Sequence, residues 1–214
     1  MKLYSPNNKI SKYLVKKILH CFCDDLTATQ TSNILGISRI TINQWYHRFR
    51  VIIASQNDPD KFSGEVELDE SYFGATRVKG KRGRGASGKT PVFGLLKRGG
   101  KVSVHIVSSV SRKELIPIIK HKVLGDTKVY TDSFRSYDSL VLNGYKHYRV
   151  HHYQNEFARG VNHINGIESF WSYCKRRLSK FNGVKKYFFL HIKECEFRYN
   201  NKQSMYQVLV KLVI

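Results

Sequence analysis

The sequence is short of acid. Asp and Glu number 16 against 37 Lys and Arg, a formal charge of +21 at pH 7 over 214 residues. A globular chain with that imbalance calls for a polyanionic partner, and nucleic acid is the first choice. The blander reading is a merely basic protein of a ribosome or lipid surface. Cysteine is also scarce. Cys21, Cys23, Cys174 and Cys195 form no C-x-x-C pair, which argues against a zinc ribbon and a disulfide framework and leaves reduced thiols of a cytoplasmic protein. No run approaches the roughly 18 apolar residues of a membrane span. The N-terminus, M-K-L-Y-S-P-N-N-K, lacks the apolar stretch of a secretory signal. Apolar residues are nevertheless plentiful, at 41 %, so the chain can build a core. Its length suits one medium domain and one small one.

The stretch from Asn162 to Arg177 reads as an amphipathic helix. Ile164, Ile167, Trp171, Cys174 and Leu178 share one face at spacings of three and four. Glu168 lies at the edge of that stripe, and Lys175, seven residues on, projects in nearly the same direction. A carboxylate beside a core is costly without a partner, and a cation, a metal ion or an acidic neighbour could be that partner.

Before it, residues 9–22, Thr27 to Leu35 and Arg39 to Ile53 read as helices, with Gly36 as the turn and Ser38 as an N-cap. Helix, glycine turn, helix is a helix-turn-helix signature whose second helix would read DNA. Arg39, Thr41, Asn43, Gln44 and Arg48 are its expected contacts, while Ile37, Ile40, Trp45 and Phe49 are expected to pack inward. Ser55 to Ser63 is a polar linker, which divides the chain into residues 1–60, a small all-α domain, and 61–214.

Past the linker, Val66 and Leu68 alternate with Glu65, Glu67 and Asp69, a strand closed by Gly74. Arg77 to Lys89 is a glycine-rich basic loop without acid. Gly88-Lys89-Thr90 runs into Pro91 and a strand, not a helix, so the loop is no nucleotide cradle. Lys79, Lys81, Arg82 and Arg84 are expected to meet a phosphate backbone, unless the loop is simply solvated charge. Strands at 92–97 and 102–107 join at Arg98-Gly99-Gly100. A helix at 114–123, a strand at 128–130, a helix at 134–142 and a strand at 145–150 follow. A helix at about 185–199, with Glu194 and Arg198 paired, and a short apolar helix close the chain. Hairpin-linked strands pair antiparallel and helix-separated ones parallel. The expected α/β fold is a ribonuclease-H-like mixed five-stranded sheet flanked by helices, preceded by the helix-turn-helix domain.

In that topology Asp69 and Asp132 meet near the centre of the sheet, and the helix at 162–177 brings Glu168 to them. Converging carboxylates repel unless cations intervene. Their hard oxygens suit Mg²⁺, or Mn²⁺, and a pair of such ions can support an in-line phosphoryl displacement. A bland reading remains for each: Asp69 or Glu70 as a turn acid, Asp132 as a helix cap, Lys175 as surface charge. His151, His152 and His163 match no metal template. Trp171, Tyr72, Tyr137 and Phe170 read most simply as core.

V-E-L-D-E-S-Y-F-G at 66–74, V-Y-T-D-S-F-R-S-Y at 129–137, N-H-I-N-G-I-E-S-F-W at 162–171 and E-C-E-F-R-Y-N at 194–200 carry a further signal. Over residues 64–202 the chain resembles bacterial insertion-sequence DDE transposases, in the group numbered fifteen ninety-five, or ISXO-two-like. The 35 residues between Asp132 and Glu168 match the interval common in such enzymes. Lys175 matches their basic residue one helical repeat later. The resemblance implies Mg²⁺-dependent cutting of element ends, joining of 3′ ends to target DNA, catalysis by Asp69, Asp132 and Glu168, and a homo-oligomer in the bacterial nucleoid. The chain departs from many relatives in lacking an N-terminal zinc ribbon. It has little sequence after the last helix. Some relatives use Asn as the third ligand, which makes Asn165 the substitute for Glu168. Two alternatives stand beside the transposase: an inactive DNA-binding relative that represses its element, and a nuclease that cuts without joining.

Overall fold

The computed structural model describes residues 3–5, 9–56, 59–74, 88–132, 137, 140–150, 162–181, 183–184 and 186–214. The basic loop with Lys79, Lys81, Arg82 and Arg84, the His151–His152 pair and most of the helix expected at 134–142 lie outside them. Of that last helix, the described residues show a 3₁₀ turn at Val141–Asn143. The chain forms two compact units, residues 1–57 with 189–214, and residues 58–188.

The first unit starts with α1 (Lys12–Cys23), α2 (Ala28–Leu35) and α3 (Arg39–Ala54). Each start is written locally. Ser11 caps α1, Thr27 and Gln30 form a reciprocal capping box on α2, and Ser38 accepts the Thr41 N–H at 3.3 Å. Gly36 ends α2 at φ 65°, a left-handed conformation that suits a residue without a Cβ. Val15, Ile18 and Phe22 of α1 pack with Ile42, Trp45 and Phe49 of α3. Trp45 and Phe49 are buried as expected, but Ile40 is 69 % exposed. At helical spacing Ile42, with Trp45 and Phe49, takes the inward face, and Ile40 falls outside that stripe.

The last two helices, α6 (Phe188–Asn200) and α7 (Met205–Val213), corrected the expected division at residue 60. Residues 189–214 belong to the first unit. Two forces hold them there. Met205, Leu209 and Val213 complete the core of α1 and α3. Glu194, fully buried, accepts from Arg50 Nε of α3 at 2.7 Å and from Arg198 Nε at 2.9 Å. Arg198 also donates to the Cys23 carbonyl at 2.9 Å and to that of Phe22, the end of α1. The Glu194–Arg198 pair read from the sequence is thus the centre of a buried triad, not a surface ornament.

The second unit is a five-stranded sheet in the order β3-β2-β1-β4-β5. β1 (Glu65–Phe73), β2 (Thr90–Lys97) and β3 (Val102–Ile106) pair antiparallel; β4 (Lys128–Thr131) lies parallel to β1, and β5 (Lys146–Arg149) parallel to β4. This is the expected mixed, ribonuclease-H-like arrangement. Side chains alternate across it. Val66 and Leu68 of β1 and Phe93 and Leu95 of β2 face Leu115 and Ile119 of α4 (Arg112–Lys122). The opposite face, with Glu67, Asp69 and Phe73, meets α5 (Asn165–Ser179), whose Ile167, Phe170, Trp171 and Cys174 are buried. All four cysteines are free thiols. Among the described residues no helix is long and apolar enough to cross a membrane.

Candidate active site

Asp69 stands on the central strand, paired in register with Gly94 of β2. The absence of a side chain at Gly94 lets α5 come close: a Cβ there would lie 2.5 Å from Trp171 Cζ2. Asp132 directly follows β4, the parallel neighbour of β1. Glu168 projects from the first turn of α5 and is exposed, as are Asn165 one turn earlier and Lys175 further along.

The electrostatics tie the three acids together. The Asp69 carboxyl is pushed up to about 8, first by burial, then by the negative charges of Glu70 and Asp132, with Glu168 adding to the same field. A backbone hydrogen bond from Glu70 works against them. Tyr137, buried, donates its hydroxyl to Glu70 Oε2 at 2.9 Å. Burial, then Glu70 and Asp69, raise that phenol well above its ordinary value. Among the described residues no three His, Cys, Asp or Glu side chains close into a metal-holding cluster as placed. The donor set itself, carboxylate oxygens around a half-buried acid in a negative field, is the chemistry a hard divalent cation suits.

Sequence reading missed the residues that seat α5. No side chain of its own caps the helix at Ile164. Glu67, 1 % exposed, reaches from β1 and accepts the Ile167 N–H on Oε2 at 2.9 Å. That contact sets the start of the helix at Asn165 rather than Asn162. Gly166 is the one local sign of it, since a Cβ there would lie 2.8 Å from the same oxygen. His163, unplaced by its sequence context, holds Nδ1 3.5 Å from Glu67 Oε1.

In the first unit Arg39, Asn43, Gln44 and Arg48 are exposed on α3 and Thr41 is half-buried. Thr41, Gln44, Trp45 and Arg48 line an open groove of about 470 Å³ with Lys9, and the Arg48 guanidinium lies 5.0 Å from the Trp45 ring centroid.

The second unit is thus a mixed five-stranded sheet flanked by helices, with Asp69 on its central strand, Asp132 after the parallel neighbour and Glu168 on the helix packed against the same face. The chain belongs to the family of the ISXO2-like transposase domain, whose model matches residues 61–200. It is 46 % identical over 111 residues to an uncharacterized transposase-like protein of Haemophilus influenzae, a match covering 51 % of this chain and 89 % of that one. It is 32 % identical over 158 residues to an uncharacterized protein in the transposable element ISH50 of Halobacterium salinarum, covering 66 % of this chain but only 54 % of that one. Among solved structures it is similar to a chain of the simian T-cell lymphotropic virus intasome in complex with PP2A regulatory subunit B56 gamma, at 11 % identity, with 83 % of this chain and 66 % of that one covered and a TM-score of 0.39. It is also similar to the Mos1 transposase in its paired-end complex with the left transposon end, at 12 % identity, 99 % and 83 % coverage and a TM-score of 0.31. Likeness that low has no bearing on mechanism.

Proposed function

We propose that this transposase-family chain cleaves DNA at the ends of its element and joins the 3′ ends to target DNA, with Asp69, Asp132 and Glu168 holding Mg²⁺, or Mn²⁺ in its place. The observation that carries the reading is the Asp69 carboxyl, raised to about 8 by burial and by the field of Glu70, Asp132 and Glu168. Acids from distant parts of the chain raise Asp69 there, and a divalent cation bound beside it would relieve that carboxylate. Divalent ions held by these carboxylates would supply activation of a water or 3′-hydroxyl and neutralisation of the departing oxygen. The residues contribute orientation: Asp69 from the stiff centre of the sheet, Asp132 from the end of β4, Glu168 from a helix seated on the same face. Asn165 is the substitute if Glu168 is not the third ligand. Lys175, on the exposed side of α5, and Lys79, Lys81, Arg82 and Arg84 of the basic loop would hold the DNA backbone.

The first unit supplies the reader in this proposal. α2, the Gly36 turn and α3 form a helix-turn-helix, and Arg39, Thr41, Asn43, Gln44 and Arg48 would face base edges and phosphates of the terminal repeats. The exposure of Arg39, Asn43, Gln44 and Arg48, and the groove that Lys9 shares with Thr41 and Arg48, support it. Processing two ends together calls for a homo-oligomer.

The test is cleavage of duplex DNA carrying the inverted repeats that flank the coding sequence. The parent should cut only with Mg²⁺ or Mn²⁺. Asp69→Ala, Asp132→Ala and Glu168→Ala should each lose at least about 100-fold in rate while still binding the DNA. Cleavage that survives Asp69→Ala and Asp132→Ala sinks the assignment. Binding without any cleavage by the parent favours the inactive-repressor alternative.

A further inference from the structure

Strand β1 offers two carboxylates to α5, two residues apart on one face. Around Asp69 the charges that set its ionisation are negative. Glu67 is treated in the opposite way. Its Oε1 accepts from Arg98 Nε at 2.9 Å, and its Oε2 accepts the Ile167 N–H at the start of α5. Arg98, from the turn between β2 and β3, does more than neutralise it. One guanidinium nitrogen donates to the His163 carbonyl at 2.5 Å, another to Glu65 at 3.1 Å, and the plane lies 3.8 Å from the Tyr130 ring centroid. The two residues thus fasten the segment entering α5 at the His163 carbonyl and the Ile167 amide. Glu168 is the next residue along.

We infer that Glu67 and Arg98 are positioning residues: an ion pair of a buried carboxylate and a half-buried guanidinium that clamps the N-terminus of α5 to the sheet and so fixes where Glu168 stands relative to Asp69. The inference rests on the reading of the three acids above. A buried carboxylate with one cation and one helix amide is held in a single orientation, which a hydrophobic contact would not impose. Ligands placed by partners behind them bind metal more tightly than the same ligands left loose, typically by 10–100-fold. Gly166 belongs to the device, because any side chain there would meet the Glu67 oxygen.

The test uses the full chain, with Mn²⁺ as probe. Glu67→Ala should make the Ile167 and Glu168 amides exchange with solvent at least tenfold faster and should weaken Mn²⁺ binding about tenfold, read from the free-ion electron spin resonance signal. Glu67→Gln keeps an oxygen for the Ile167 N–H and should recover part of both. A role confined to stability would instead speed exchange across β1 and β2 alike and leave the Mn²⁺ affinity of the folded fraction unchanged. Should Glu67→Ala fail to fold, Gly166→Ala wedges the clamp with its charges intact and is read in the same two ways. Unchanged exchange at Ile167, or unchanged Mn²⁺ affinity in a variant of a parent that binds it, overturns the inference. A parent that takes up no Mn²⁺ overturns the reading of the acids instead, while the exchange measurement still decides whether Glu67 anchors α5.

Discussion

Gly94→Ala probes how closely α5 must sit. Gly94 faces the helix from β2, opposite Asp69 in the register of the sheet. An added methyl would lie 2.5 Å from Trp171 Cζ2, 2.9 Å from Cη2 and 3.0 Å from Ile167 Cδ1. Carbon atoms settle about 3.5–4.0 Å apart, so the contact must open by about 1 Å. The indole has nowhere to turn. It is 3 % exposed, edge-on to Phe73 at 5.9 Å and tilted against Phe170 at 5.2 Å. The helix therefore has to lift. Overpacking of this kind costs about 1–3 kcal/mol. A stiffer unfolded chain offsets about 0.4–1 kcal/mol of it. A net loss of about 1–2 kcal/mol should appear in the urea unfolding of the second unit.

The larger effect falls on activity. Glu168 rides on the same turn as Ile167, so a lift of about 1 Å carries it away from Asp69, and misplacement on that scale can cost about 100-fold in rate. Metal-dependent cleavage of end DNA measures this, with binding to the same DNA, by fluorescence anisotropy, as the control that should not change. Trp171→Phe removes the two indole atoms nearest the new methyl, so the double variant should regain part of both losses, a coupling of about 0.5–3 kcal/mol. A Gly94→Ala protein with the parent's urea midpoint and cleavage rate would refute the close seating of α5 and the link from seating to chemistry.

Other outcomes follow from the first unit. Glu194→Ala strands Arg50 and Arg198 in the core without their shared carboxylate and should cost about 3–5 kcal/mol, enough to unfold this unit in thermal melts while the sheet survives. Thr27→Ala removes the capping box of α2 and should cost about 1 kcal/mol, seen in the same melts. Burial pushes the Cys23 thiol and the Tyr46 phenol each up to about 12. The folded chain therefore keeps protons that the unfolded chain releases from about pH 9–10 upward, so stability is whole below that range and falls as pH rises towards 12. Urea midpoints at pH 8 and pH 10.5 check this, and Tyr46→Phe should flatten the decline. Arg48→Ala and Gln44→Ala should weaken binding to the terminal repeat by about 1–3 kcal/mol where they meet bases. Binding unchanged in both would remove α3 as the reader.

Much of the second unit was legible because its signals are local. Alternation in Val66-Glu67-Leu68 marks β1, and the glycine turn at Arg98-Gly99-Gly100 marks an antiparallel pair. The helix α4 between β3 and β4 fits the parallel pairing of β4 with β1. The spacing of Ile167, Trp171 and Cys174 marks the buried face of α5. Two things escaped. The last helices were assigned to the wrong unit, because an apolar stripe such as Met205, Leu209 and Val213 states that it will be buried but not against what. Ile40 was read as core because it is isoleucine, whereas the helical period gives the inward position to Ile42.

The remaining failure concerns two acids that look alike. Glu67 and Asp69 stand two residues apart, on the same strand and the same face. Nothing in V-E-L-D-E distinguishes the acid proposed to position α5 from the acid proposed to hold metal. The difference comes from partners far off in the chain. Glu67 meets a guanidinium 31 residues later and a helix amide 100 residues later. Asp69 lies in the negative field of Glu70, Asp132 and Glu168, against which a Glu70 backbone hydrogen bond works. Compensation makes the first carboxylate a fixed strut, since every lone pair that matters is already engaged. Burial and the neighbouring acids leave the second in a field that resists ionisation, which a cation would relieve. In the proposed assignment, the acid left without a cation is the chemical one, and what separates it from Glu67 is written in Arg98, Gly166 and the start of α5 rather than in the motif itself.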